Sequence, residues 1–594
     1  VFSAPKGKGS GKRRRAIPAA ALAVGATGLF LTAPTAHADG SPQPAVPRPA
    51  AHKTPSQSEL RARVAGVLGH QKAATARSHK PATLTPSVKS TASPSTTVSP
   101  YVIGGTTTPL SAAPWMAQLW YDDGAGTSFF CGGTVVSPSK ILTAAHCVHG
   151  YDWATNGVIV TGTDQLPTLN PDDTVDLHGG TVSGLAWQWN NPSYSAATTD
   201  NDIAVLTLDE PVKAKTLPLT TSSDTASYIP GKTATVYGWG RTSSTTQDIS
   251  QSLQSATLPI DADSACTSFF GTDFKPGHMV CAGNAATGSD AGTVSPCNGD
   301  SGGPLVEGGR IVGVVSWGVE DCVAQGARSV FTKVSAYVPL VNQRLDDASF
   351  SGDNLGDLIA RTPAGQAYLY ISTGSGFTSR VSIGSLAGLN LVRQTDLNRD
   401  SWEDLVVRST DGHLYFLDGD SGTQTLIGAG WNVMRSITLP GDITGDGLPD
   451  LFATDTNGVA WVYPGNGKGA FGSRVKIGTG WNIYGAVVYG KGDLTNDGRP
   501  DIVGRDSSGN LWLYKGTGSA SAPWAARVKV GSGWNIYNAL AAVGDLTGDG
   551  KADLVGRDSA GKLWLYKGTG SSTAPYATRI LIGTGGWGIY NLFG

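Results

Sequence analysis

Three short segments of the chain carry residues that could act together on a carbonyl carbon. The run Leu142-Thr-Ala-Ala-His-Cys147 ends a β-like stretch on His146, and Asn201-Asp-Ile-Ala-Val-Leu-Thr-Leu208 sets Asp202 at the head of an alternating strand. The run Gly299-Asp-Ser-Gly-Gly-Pro304 holds Ser301 in a glycine-rich turn. A serine nucleophile needs a base to take its proton, and that base needs a carboxylate to hold it. Backbone N–H groups must also meet the carbonyl oxygen as it gains charge. Such a set hydrolyses peptide bonds through an acyl-enzyme.

The elements that must position these residues read as all-β. From 101 to about 346, short β-like runs alternate with Gly/Ser/Thr/Asp turns, and the region closes with Val334, Tyr337, Val338, Val341 and Leu345 on one helical face. The turn around Ser301 also fits Gly-x-Ser-x-Gly, the nucleophile elbow of α/β-hydrolases. Those enzymes place Asp and His after the Ser, whereas here the only later His is His413, and no βαβ pattern surrounds the Ser. Chain order therefore rejects a lipase or esterase. His149, His178, His278 and His413 lack comparable surroundings and read as incidental. The six cysteines all lie between 131 and 322. They suit three disulfides formed after export, and about 15 pairings are open to six cysteines on sequence alone. No Cys-x-x-Cys occurs, which gives a zinc or redox centre no support.

Taken together, residues 102–346 resemble the chymotrypsin/trypsin family of serine peptidases. The resemblance implies a double β-barrel with its active site between the barrels. It implies Ser301 as nucleophile, His146 as general base and then acid, Asp202 as the group orienting the imidazole, and the N–H groups of Gly299 and Ser301 as oxyanion hole. It pairs Cys131 with Cys147, Cys266 with Cys281 and Cys297 with Cys322. Val102-Ile-Gly-Gly105 resembles the family's mature N-terminus: a cut after Tyr101 would free an α-amine to pair with Asp300, making the precursor a zymogen. The same resemblance lines the substrate pocket with Ser295, Ser316, Trp317, Gly318 and Ser329. A carboxylate at the pocket floor would be the counter-charge for Arg or Lys. With Ser295 there, the expected preference is hydrophobic, unless Asp290, Glu320 or Asp321 reaches in.

Beyond 348 the chain repeats itself. Acidic segments recur every 46 to 52 residues, with oxygen-bearing side chains at positions 1, 3, 5 and 9. These are Asp396, Asn398, Asp400 and Asp404; Asp442, Thr444, Asp446 and Asp450; Asp493, Thr495, Asp497 and Asp501; and Asp545, Thr547, Asp549 and Asp553. A degenerate first copy runs from Ser349 to Asp357. Five units of this length each suit a four-stranded blade. Gly-Trp-Asn leads into three of the loops, and a spare lead-in, Gly586-Trp-Gly-Ile-Tyr590, follows the last unit. A strand there would complete the first blade and close a five-bladed ring. Crowded carboxylates in a tight loop call for a hard cation. The loops resemble the FG-GAP/VCBS repeats of integrin-like propellers, which implies structural Ca2+; catalysis itself needs no cofactor. The repeated Leu-Trp-Leu-Tyr strands at Trp512 and Trp564 are expected in the core.

Charge divides the chain. Residues 1–101 hold 14 Lys/Arg against two acidic residues, while the remainder holds 30 against 44. So acidic a body excludes nucleic acid as a partner. Basic Lys12 to Arg15, an apolar run over Ala16–Leu31 and a small-x-small site at Ala36–Ala38 read as a signal peptide over 1–38. Residues 39–101 read as a flexible propeptide with a short helix over Leu60–Leu68, 102–347 as the peptidase domain and 348–594 as the propeller. The expected protein is extracellular, free of the membrane after signal cleavage, and monomeric. Its partners would be a protein or peptide substrate and a polysaccharide or surface ligand on the propeller. The alternative is an adhesin or lectin-like protein whose peptidase domain is accessory.

Overall fold

The computed structural model describes residues 54–75, 102–222, 224–345, 349–351, 355–400, 402–419, 421–484 and 488–594. The signal-peptide reading, the export basic cluster and the residue before Val102 lie outside them. The peptidase region is two antiparallel seven-stranded sheets. In spatial order the N-terminal barrel runs Thr181–Ser183, Gly157–Thr161, Met116–Asp122, Ser128–Ser137, Lys140–Thr143, Ala204–Leu208, Leu185–Asn190. The C-terminal barrel runs Thr106–Thr107, Gln254–Pro259, Thr233–Gly238, Pro304–Glu307, Arg310–Trp317, Ser329–Lys333, Met279–Ala282. Alternation decides what each strand buries. Leu119 and Tyr121 enter one core cluster with Ile159, while Met116 and Trp120 enter another with Val158 and Val160. The closing helix, Val338–Leu345, lays Val338 and Val341 on the first of these clusters.

Residues 54–75 are more structured than the sequence reading expects. Gln57–Thr75 is a 19-residue helix rather than a short one. Ser56 and Glu59 form a reciprocal cap, the Glu59 N–H donating to Ser56 Oγ (3.2 Å) and the Ser56 N–H to Glu59 Oε2 (3.0 Å).

Five four-stranded blades follow. Blade 1 takes Leu358–Arg361, Gln366–Tyr370 and Val381–Ser385, and its remaining strand is Leu592–Phe593, which pairs antiparallel with Leu358–Arg361. The ring is closed by the spare unit. Each blade is pinned by its last loop carboxylate. Asp404, Asp450, Asp501 and Asp553 each accept the N–H of a glycine 15 residues on (Gly419, Gly465, Gly516, Gly568) at 2.8–2.9 Å with one oxygen. The other oxygen accepts a loop N–H, from Leu397, Ile443, Leu494 and Thr547. Asp357 does the same in the degenerate blade, accepting from Ser372 and Ser351. Neighbouring blades are joined by arginines that donate to carbonyls of the next lead-in: Arg408 to Trp431 and Met434, Arg505 to Trp534 and Tyr537, Arg557 to Trp587 and Tyr590. Blade 3 has Thr454 at this place, bonded to Ser436 (2.9 Å).

The acidic-loop face of the ring meets the peptidase. Asn342 Nδ2 donates to the Gly498 carbonyl and Ser222 Oγ to that of Asp497, while Arg399 Nη1 donates to the Leu345 carbonyl (2.9 Å). Trp512 and Trp564 pack against buried core clusters, as expected, with part of each ring left at the surface. Each is half-buried, donates its indole N–H to Asp506 or Asp558, and lies under the guanidinium of Arg527 or Arg579.

Candidate active site and acidic loops

His146 sits in the short turn Ala145–Cys147 that ends strand Lys140–Thr143, and Asp202 precedes Ala204–Leu208, which pairs with that strand. The pairing brings carboxylate and imidazole together. Asp202 is 1 % exposed; its Oδ2 is 2.8 Å from His146 Nδ1 and its Oδ1 accepts the His146 backbone N–H at 2.8 Å. Two hydroxyls fix Asp202 from the C-terminal barrel, Ser316 Oγ donating to Oδ2 (2.6 Å) and Thr332 Oγ1 to its carbonyl (2.6 Å). Ser316, expected to line the substrate pocket, thus spends its hydroxyl on Asp202. Thr332 gave no signal in the sequence beyond lying in a strand. Burial disfavours the imidazolium, but the charge and hydrogen bond of Asp202 outweigh it and hold His146 above its ordinary pKa of 6.5.

The nucleophile loop is locked to the same spot. The Gly132 N–H donates to the Ser301 carbonyl (2.7 Å), and Cys131 beside it is bridged to Cys147, next to His146. Gly302 has a positive φ, and a Cβ there would fall 2.1 Å from Thr143 Oγ1, so no larger residue lets the loop approach. Gly299 is also left-handed (φ +98°). Among the described residues the N–H groups of Gly299 and Ser301 donate to no acceptor, leaving two adjacent donors free beside the Ser. The remaining disulfides join Cys266 to Cys281 and Cys297 to Cys322, the latter bracketing this loop.

Asp300, the residue before Ser301, is fully buried. It accepts the N–H groups of Gly240 (2.7 Å) and Cys297 (2.9 Å), and glycines are required around it: a Cβ on Gly238 or Gly240 would stand within 2.0 or 2.3 Å of its oxygens. Burial pushes its carboxyl up to about 7. Val102 is buried in the C-terminal barrel's core, and the Ile103 carbonyl accepts the Ser295 N–H (3.0 Å). The segment before the barrel is therefore tied to Ser295. Ser295 and Ser329, both expected in the substrate pocket, bring their hydroxyl oxygens to 3.1 Å of each other. Gly318 leaves the wall open: a Cβ there would meet nothing nearer than the Arg328 carbonyl oxygen, at 4.0 Å. The neighbouring Trp317 packs edge-on against Phe270. Asp290 is held by Ser243 and Ser244, and Asp321 by the N–H groups of Val323 and Ala324 within its own loop.

In the propeller, position-1 carboxylates organise their own loops: Asp442 accepts from Gly445 and Gly447, Asp493 from Asn496 and Gly498, Asp545 from Gly548 and Gly550. Position-3 hydroxyls Thr495 Oγ1 and Thr547 Oγ1 are buried with no partner among the described residues. Loops of oxygen ligands with orphaned hydroxyls fit a hard cation. The loops differ, however. In blade 2, carboxylate oxygens of Asp400, Asp404 and Asp418 gather within 4.8 Å, whereas in blade 4 Lys515 reaches Asp497 (3.2 Å). Asp418 was missed by the sequence reading because it lies outside the loop repeat.

The model of the trypsin family matches residues 102–341, and that of the FG-GAP-like repeat matches 396–453, 442–503 and 493–556. A trypsin of Saccharopolyspora erythraea is 36% identical over 245 residues, 41% of this chain and 98% of that protein. Kallikrein-14 of Homo sapiens is 33% identical over 246 residues, covering 41% of this chain and 85% of its own. Trypsin delta of Drosophila erecta is 34% identical over 237 residues, 39% and 84% of the two chains. The two barrels, the closed ring and these matches agree: the chain belongs to the trypsin family of serine peptidases and carries, behind its peptidase domain, a five-bladed propeller of FG-GAP-like repeats.

Proposed function

We propose that the protein is a secreted serine endopeptidase made as a zymogen, in which Ser301, His146 and Asp202 form the catalytic triad. The clamp on Asp202 carries this reading. With Oδ2 accepting from Nδ1–H, the imidazole presents Nε2 without a proton, ready to take one from Ser301. Ser301 Oγ attacks the peptide carbonyl, the N–H groups of Gly299 and Ser301 receive the oxyanion, and the imidazolium returns its proton to the leaving amine. Water, deprotonated by the same imidazole, then releases the acyl group. Asp300 supports the zymogen reading: a buried carboxylate with only backbone donors is stabilised by a cation, which the α-amine of Val102 would supply once Tyr101–Val102 is cut. The uncharged Ser295–Ser329 floor supports cleavage after Phe, Tyr, Leu or Met, because an Arg or Lys head would lack a counter-charge there.

In the propeller, positions 1, 3, 5 and 9 of the acidic loops would hold Ca2+ and the ring would dock the enzyme to its substrate or to a surface. The three disulfides suit an oxidising, extracellular setting, and no helix among the described residues is long and apolar enough to cross a membrane. An organophosphorus probe tests the triad: mass mapping of the treated, activated enzyme should find the adduct on Ser301. An adduct elsewhere, with activity lost, would overturn the assignment.

A further inference from the structure

The strands of the N-terminal barrel nearest the propeptide are apolar on both faces. Met116–Asp122 and Gly157–Thr161 are buried at nearly every residue. An antiparallel strand with one solvated face alternates apolar and polar residues. Here Met116, Trp120, Val158 and Val160 point away from the barrel interior and still find cover. Part of that cover is the helix Gln57–Thr75. Its residues Leu60, Val64 and Val67 lie on one helical face, are at most 1 % exposed, and share a cluster with those four side chains, Leu166, Leu177 and Val182.

Polar contacts fix the register. Arg63 Nη1 donates to the carbonyls of Gly157 (2.9 Å) and Ala154 (3.3 Å), and Gln57 Nε2 to that of Val182 (3.1 Å), on the sheet's edge strand. Pro55, just before the cap, reaches Gly184, where a Cβ would come within 2.9 Å of its ring. The helix packs across four successive strands from that edge, Thr181–Ser183, Gly157–Thr161, Met116–Asp122 and Ser128–Ser137.

We infer that residues 54–75 are a retained subunit of the peptidase: after the activating cut the helix stays bound, non-covalently, as a light chain that completes the N-terminal barrel. The inference rests on the zymogen reading for the existence of that cut, but not for its position. Removing the segment would take Leu60, Val64 and Val67 out of the cluster that holds Met116, Trp120, Val158 and Val160 and open apolar surface there.

The test uses the full chain with a site-specific protease sequence placed between residues 90 and 99, so that cleavage is independent of any natural activator. After complete cleavage, gel filtration in native buffer should carry both fragments in one peak, in equal amounts, separating only in denaturant. Release of the small fragment from a large fragment that remains folded would overturn the inference. Val64→Asp should weaken retention at least 100-fold, whereas Ala62→Asp, on the exposed face, should leave it unchanged. If Val64→Asp prevents folding of the uncut chain, Val64→Ala gives the graded loss. Equal retention by Val64→Ala and Ala62→Asp variants would also count against it. Sequencing the naturally activated large chain separates the two readings: a start other than Val102 refutes the activation site while leaving co-elution to decide the light chain.

Discussion

Both domains bury carboxylates, and the partner that each one meets decides its use. In the peptidase, buried Asp202 faces the imidazole of His146, and buried Asp300, next to Ser301, accepts the N–H groups of Gly240 and Cys297. In the propeller the same side chain recurs at Asp357, Asp404, Asp450, Asp501 and Asp553, each time accepting at least two backbone N–H groups that hold the blade's strands together. Burial shifts several of these carboxyls up as it does that of Asp300, to about 9 for Asp404 and about 8 for Asp501. A shifted, buried acid is thus no sign of catalysis by itself. What sets Asp202 apart is its partner: an imidazole that can carry a proton, where Asp300 and the propeller carboxylates meet fixed amides.

Substitutions that remove one use without the other sharpen this contrast. The largest effect is expected from Ser301→Ala, which should lower kcat by on the order of 10^6-fold with both domains melting as before. Next, Asp202→Asn should cost about 10^4-fold in kcat and alter the acid limb of the pH profile. The wild-type enzyme needs neutral His146, so kcat/KM should fall as pH drops through a pKa above 6.5; without the carboxylate's charge that limb should move to lower pH. A limb that stays in place would mean that Asp202 does not set the imidazole's charge. In the propeller, Asp501→Ala strands the N–H groups of Leu494 and Gly516. At about 1–3 kcal/mol per orphaned group, the ring should lose about 2–6 kcal/mol, read by calorimetry, while hydrolysis of a short peptide is unchanged. The smallest change is Thr454→Val, which breaks only the bond to Ser436 and should cost about 1 kcal/mol. The corresponding Arg505→Met, which loses two carbonyl contacts to the next blade, should cost more than Thr454→Val by the same measurement.

Much of this architecture was legible because it is written locally. The triad motifs carry their own turns, the acidic loops repeat at a nearly constant interval, and the spare Trp587 lead-in implied a closing strand. The sequence was silent where partners are distant. Thr332 and Ser316 reach Asp202 across more than a hundred residues, and Asp418 joins its loop from the far end of its blade. The docked helix shows both kinds of signal. Its Ser56–Glu59 cap could have been read from the spacing, since Ser-x-x-Glu before an apolar run marks a helix start. Its docking could not be read so directly, because low sequence complexity on either side of it masks a short apolar face at 60, 64 and 67. The better clue lay elsewhere, in the unbroken apolar run Val158-Ile-Val160, which leaves no residue for water.

Residues 102–341 form a trypsin-family serine peptidase domain, for which we propose an uncharged primary pocket. The most direct test is hydrolysis of a peptide set in which only the residue before the cut varies, measured with activated enzyme and with its Ser301→Ala counterpart. Cleavage after Phe, Tyr, Leu or Met that vanishes in the variant is the predicted result. Preferred cleavage after Arg or Lys, or activity that survives the loss of Ser301, would contradict it.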